Sequence, residues 1–171
     1  MNRSSAIQFI LFFVYLIIQV LLLKNLVIYE TAFCFLYVAF ILLVPVETNT
    51  LFLMGAAFLL GFFVDIFYDS LGLHASASVL VAYFRNYWLA TITPQGGYDA
   101  GASPSVSANG LQWFVVYSMP LVFVHQLFLF FTEAWGFSIF WHTMQKVIAS
   151  LLFTMTVIIL LQFLFSEKRR S

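Results

Sequence analysis

Apolar residues fill this chain in six long blocks, at 6–23, 31–46, 51–68, 73–92, 111–131 and 147–165, separated by short polar joints and one long polar connection. A helix needs about 20 apolar residues to cross about 30 Å of hydrocarbon, with about 17 to 25 tolerated. The pattern therefore predicts an all-α polytopic membrane protein: one domain, 1–171, of six transmembrane helices. The second block is the shortest at its apolar core, and Pro45 and Glu47 close it. Short turns between the first four blocks predict antiparallel packing of sequential neighbours. The connection at 93–110 is rich in Gly, Ser, Ala and Pro, and Pro94 with Gly96 and Gly97 forbids a continuing helix, which predicts a flexible loop.

Composition points the same way. Of 171 residues, 63% are hydrophobic, 20% aromatic and only 8% charged, and the mean hydropathy is +1.01. Soluble domains are only about half apolar. Zero formal net charge gives no basis for a nucleic-acid partner, and no polar stretch is long enough for a soluble catalytic domain. Cys34, the single cysteine, lies inside an apolar block; an intramolecular disulfide is excluded, and the residue reads as small apolar packing. One arginine, Arg3, precedes the first block, as in a signal peptide. The block is longer than the about 7 to 15 residues of a signal core and lacks a small-residue cleavage pattern, so it is expected to be a retained span. Arg3, Arg85, Lys168, Arg169 and Arg170 fall on one side of the predicted topology, against Lys24 and Lys146 on the other, which predicts that both termini are cytoplasmic.

Where charge is scarce, its placement carries information. Residues 61–74 read GFFVDIFYDSLGLH, at the joint between the third and fourth blocks. Asp65 and Asp69 share a face if the upstream helix continues through both. Asp65 allows two readings: a polar contact within the bundle or with a partner helix, or a last-turn residue that meets water. Asp69 and Ser70 read as an N-cap for the fourth span, and Gly72 as a turn position where a side chain would obstruct the backbone. Ala57 with Gly61, and Ser78 with Ala82, are small residues spaced for close helix approach, which predicts that spans three and four pair most tightly. At 83–88, YFRNYW reads as an interfacial anchor, with Arg85 reaching to phosphate and Trp88 at headgroup depth. Trp135, Phe137, Phe140 and Trp141 form a similar aromatic group at the other surface.

Candidates for a metal site or proton relay are His74, His125, His142 and Glu133. His125 and Glu133 lie about 12 Å apart along a helix, too far to chelate together, and no pair has the three- or four-residue spacing of a chelate. No phosphate loop, nucleophile elbow or metalloprotease motif occurs. The expectation is a non-enzyme without a cofactor.

The run Gly61-Phe62-Phe63-Val64-Asp65 followed by Gly72, then a fourth span of small residues (Ala75, Ser76, Ala77, Ser78, Ala82) ending in Tyr83-Phe84-Arg85-Asn86, resembles the rod-shape-determining MreD family. Overall length, six spans and the short basic tail extend the resemblance over nearly the whole chain. It implies an inner-membrane scaffold subunit of the bacterial cell-elongation machinery, supporting cell shape and peptidoglycan synthesis. The implied partners are an MreC-like bitopic protein, a RodA-type glycosyltransferase with its transpeptidase, the MreB-type cytoskeleton and membrane lipid. The family is similar in fold to the substrate-binding subunits of energy-coupling-factor transporters, so a vitamin or small-molecule transporter subunit is the alternative. Those subunits carry an Ala-xxx-Ala surface on the first helix; here Ala6 is followed by Ile10 and no second small residue, which counts against that alternative.

Overall fold

The structure, a computed structural model, describes the backbone of residues 3–136 and 139–165, with side chains from residue 6 onward. The side chain of Arg3, together with Phe137, Lys168, Arg169 and Arg170, lies outside the described residues. Block 6–23 forms a continuous rod: α1 (Arg3–Ile18) runs directly into a π-helical stretch, Gln19–Leu23. Asn49 begins the next long helix, α3 (Thr50–Tyr68), by accepting hydrogen bonds from the N–H groups of Leu51 and Phe52 at 2.9 and 3.3 Å. Then come α4 (Leu73–Thr91), the single turn α5 (Val106–Asn109), α6 (Leu111–Glu133) and α7 (Phe140–Leu164).

Among the described residues, four helical stretches are long and apolar enough to cross a membrane: Ala6–Leu23, Thr50–Tyr68, Leu111–Glu133 and Phe140–Leu164. The fold is mostly helical, as expected, but two of the six blocks behave differently. Block 73–92 is a helix of sufficient length whose His74, Arg85 and Asn86 make it too polar to count among the four. It is an inner helix. His74, Ala77, Ser78, Val81, Ala82, Arg85 and Leu89 form its buried stripe, and it packs against α3 and α6.

Block 31–46 is not the transmembrane helix its composition predicts. It starts in a strand pair, β1 (Val27–Ile28) with β2 (Ala32–Phe33), and only α2 (Val38–Leu43), 6 residues long, is helical. The reason lies in its surroundings. Residues 34–42 are buried on every side, so the apolar run carries no periodicity that distinguishes helix from strand. Neighbouring helices also supply hydrogen bonds to its backbone. The N–H groups of Phe33 and Phe35 donate to Ser150 Oγ and Thr154 Oγ1 on α7 at 2.9 and 3.1 Å. Alternate residues of an extended chain repeat at about 6.6 Å, and residues four apart on a helix at about 6 Å, so the two ladders match. From the first rod, Gln19 donates through Nε2 to the Cys34 carbonyl at 3.0 Å and accepts through Oε1 from the Tyr37 N–H at 3.3 Å.

Side chains also tie the helix ends together. At one end, Gln19 Nε2 reaches the Tyr68 hydroxyl at 2.7 Å and Lys24 donates to the Phe67 carbonyl. At the other end, Asn86 Nδ2 donates to the Thr48 carbonyl and to Thr50 Oγ1. There the connection at 93–110, expected to be loose, is folded against the bundle. The Val46 N–H donates to the Ala102 carbonyl, the Tyr98 hydroxyl to the Leu89 carbonyl, and the Val106 N–H to Gln162 Oε1 on α7.

The contact between α3 and α4 is the most extensive between any two elements. Ala57, Gly61, Ser78 and Ala82 are all buried. A Cβ on Gly61 would lie 2.5 Å from the Ala75 Cα and 2.6 Å from the His74 carbonyl oxygen. Backbone meets backbone there, so a substituent cannot be absorbed by a side-chain rotation. Gly61→Leu is therefore expected to lower stability in detergent by about 1–3 kcal/mol or more, the usual range of overpacking. Leu59→Phe, at a position 51% exposed, is expected to be near neutral. Equal thermal midpoints for the two variants would contradict the close approach.

Candidate functional site

The polar residues of 61–74 build one joint. Asp65 is 3% exposed, on the last turn of α3, and its carboxylate takes four hydrogen bonds. Its Oδ1 accepts from Ser70 Oγ at 2.6 Å, from the His74 N–H at 3.0 Å and from His74 Nδ1 at 3.0 Å; its Oδ2 accepts from the Ala75 N–H at 2.9 Å. The last turn of one helix thus caps the first turn of the next, and a negative charge meets the positive end of the α4 dipole. The reading of Asp65 as a polar contact within the bundle describes this geometry; the reading as a residue that simply meets water does not.

Three expectations for the joint are corrected. Asp69 does not share a face with Asp65: α3 stops at Tyr68, and Asp69 adopts a left-handed conformation with φ 53 and is exposed. Neither Asp69 nor Ser70 caps α4, because Gly72 occupies the N-cap without a side chain and Asp65 supplies the bonds from the preceding helix. Gly72 is needed for its backbone angle, φ 81, since a Cβ there would meet nothing within 4 Å.

The interfacial anchor at 83–88 is corrected as well. Arg85 is 0% exposed and points inward. Its Nε donates to the Tyr117 hydroxyl at 2.9 Å, one terminal nitrogen donates to Asn86 Oδ1 at 3.1 Å, and the other reaches the Leu42 and Val44 carbonyls at the end of α2. It caps the negative end of a short helix and cannot reach a lipid phosphate. Trp88 is half-buried, and its indole N–H donates to the Val116 and Tyr117 carbonyls at 3.3 and 3.1 Å. Pro120, inside α6, has no N–H for the Val116 carbonyl, so Trp88 supplies the missing donor. The aromatic residues that do face outward on α4 are Tyr83, Phe84 and Tyr87.

Beside the joint lies a second buried polar pair, which the sequence did not reveal. The Tyr37 hydroxyl sits 2.7 Å from His125 Nε2, both side chains fully buried. The His74 and His125 rings both flank Phe35, with centroids at 5.7 and 5.8 Å. Two signals were available: Gln19 as an amide deep in an apolar block, and Ser150 with Thr154 as hydroxyls on one face of an apolar helix. His142 and Glu133 are exposed. Among the described residues, no three His, Cys, Asp or Glu side chains come together in a way that could hold a metal ion.

On the outer surface a groove of about 810 Å³ runs along α4. Met54, Phe58, Phe62 and Ile66 of α3 form one ridge, Phe128 of α6 stands opposite, and the floor includes Ala75, Ser76 and Val79.

Substitutions at two positions test the joints. Asp65→Ala leaves the His74 and Ala75 N–H groups without an acceptor and is expected to destabilise by about 1–3 kcal/mol for each. Asp65→Asn, which keeps one acceptor oxygen, should lose less. Unfolding of both variants at the wild-type denaturant midpoint would remove the cap. For Arg85, replacement by Lys is expected to destabilise as much as replacement by Met, because one ammonium cannot span Tyr117 and two carbonyls. Full rescue by Lys in a thermal unfolding assay would restore the phosphate-anchor reading.

No protein-family model, no curated protein and no solved structure matches this chain.

Proposed function

We propose that this chain is a non-catalytic scaffold of the bacterial inner membrane that supports cell shape and peptidoglycan synthesis by holding partner membrane proteins of the elongation machinery, as its resemblance to the MreD family implies. The groove along α4 carries this reading. Ala75, Ser76 and Val79 of α4 line it between bulky residues of α3 and Phe128 of α6. Small residues such as Ala75 and Ser76 let a foreign helix approach closely, which favours helix association where lipid provides no hydrophobic drive. The apolar helix of an MreC-like bitopic protein is the proposed occupant. The RodA-type enzyme pair, the MreB-type cytoskeleton and membrane lipid are the further proposed partners. The scarce charges support the same reading, since Asp65 and Arg85 are both engaged in joining helices. An apolar, outward-facing groove also suits a helix better than the hydrophilic vitamin of the transporter alternative.

In this reading the chain crosses the membrane six times with both termini cytoplasmic. The second crossing is made by the irregular segment 31–46 and the fourth by the inner helix α4. Irregular backbone at membrane depth is tolerated where protein buries and bonds it, and Ser150, Thr154, Gln19 and Arg85 do this for 31–46. With Arg85 buried, the Lys/Arg bias towards cytoplasmic ends rests on Arg3 and on residues 168–170.

Two measurements test the proposal. In a variant lacking Cys34, a cysteine replacing Ser171 should resist an impermeant thiol reagent in intact spheroplasts; ready labelling would refute cytoplasmic termini. Val79→Trp fills the groove floor and is expected to reduce recovery of elongation partners after mild detergent extraction, and to impair cell shape in a depletion strain, without lowering the thermal midpoint. Undiminished partner recovery would rule out the groove, and recovery of an ATPase module in place of elongation partners would favour the transporter alternative.

A further inference from the structure

The groove along α4 is apolar for most of its length, but its two ends differ. Three of its four polar side chains, Asp65, Ser70 and Ser76, line it beside the α3–α4 joint, and the fourth, Tyr83, lies about 10 Å of helix rise beyond Ser76. The hydrogens at the joint end are already committed inward. Ser76 is exposed, yet its hydroxyl donates to the Gly72 and Leu73 carbonyls of its own helix end, at 2.8 and 3.0 Å. Ser70 Oγ donates to Asp65 Oδ1 at 2.6 Å. A hydroxyl has one hydrogen and two lone pairs, so these side chains have only lone pairs left to offer. Asp65 Oδ2 accepts one bond, from the Ala75 N–H, where a carboxylate oxygen can take two. Among the described residues, no cation of fixed charge pairs with Asp65.

Resting on the reading of this groove as the partner site, we infer that its occupant is a membrane-spanning helix that carries a lysine or arginine at the level of the α3–α4 joint, donating to Ser76 and facing the Asp65 charge. A purely apolar helix would strip water from the acceptors at this end and return nothing for it. A helix with Asp or Glu there would set like charges against each other in a low dielectric. A basic side chain meets both the lone pairs and the charge. Its long apolar stem also lets the backbone of the occupant stay close to the small residues Ala75 and Ser76 while the charged head reaches the joint.

Synthetic single-span peptides of leucine and alanine, identical except at one position a turn from one end, test this on the full chain in a mild nonionic detergent. Labelled peptide retained by the immobilised chain, less that retained by the Val79→Trp chain, measures binding in the groove. Lysine at the variable position should raise this binding several-fold over norleucine, which has the same methylene stem without the ammonium, and glutamate should lower it below norleucine. Ser76→Ala, at an exposed position, should bring the lysine peptide down towards the norleucine level and leave the norleucine peptide unchanged. Equal binding of the lysine and norleucine peptides overturns the basic residue while leaving the groove a helix site. No peptide bound above the Val79→Trp level overturns the groove reading and this inference with it. Displacement of the lysine peptide by added phosphatidylethanolamine assigns the acceptors to a lipid amine, and dimers of the chain that Val79→Trp dissociates assign the groove to a second copy; either result overturns the basic helix.

Discussion

Backbone that leaves the helix inside an apolar bundle has no water to bond, and every unmet N–H or C=O there is costly. The segment 31–46 meets this constraint by taking its partners from the side chains around it, and much of the architecture follows. Ser150 and Thr154 of α7 serve the N–H groups of Phe33 and Phe35, Gln19 brackets residues 34–37, and Arg85 with Tyr117 closes the end of α2. These bonds set the rotation of each helix about its axis as well as its position. Turning α7 by a single residue, about 100°, would carry both hydroxyls away from the extended chain.

The two buried charges of α3 and α4 obey the same rule from opposite sides. Among the described residues, Asp65 has no cation of fixed charge beside it and Arg85 no carboxylate; each is matched to a helix terminus. The carboxylate lies against the free N–H groups that open α4, and the guanidinium against the free carbonyls that end α2. Partial charges of the right sign stand at both places, and charge-assisted bonds to backbone are stronger than neutral ones. A formal ion pair between Asp65 and Arg85 would have left four helix-terminal groups to find other partners.

What could be read in the sequence follows from what each residue's signal depends on. The long helices α3, α6 and α7 are set by runs of apolar residues and by local stops, such as Asn49, Asp69 and Gly72, so length and hydropathy reveal them. Gly61 was legible as a close-approach position because small residues in apolar helices have few other uses. The second block was misread because all-round burial erases periodicity, and its true partners lie 117 and 119 positions away on α7. Arg85 was misplaced for a related reason: an arginine among Tyr, Phe and Trp has the same local pattern whether it snorkels to the surface or turns inward to cap a helix. The Asp65–His74 pair was missed because nine positions and a left-handed turn separate its members, a spacing that no helical periodicity relates.

These separations also divide the molecule into parts that can form at different times. The joint between α3 and α4 closes over ten positions or fewer, so it can be completed as soon as both helices exist. The irregular segment cannot. Its α2 is only 6 residues long, its strands are two residues each, and the hydroxyls that bond Phe33 and Phe35 belong to the last helix described. Contacts of such long range are formed late, because the loop between them must be ordered first. Until α7 packs, the 31–37 backbone has to keep its bonds with water or with itself, outside the place it finally occupies. The N-terminal third of the fold is therefore completed by its C-terminal helix, and the bundle closes around 31–46 only after that helix has arrived.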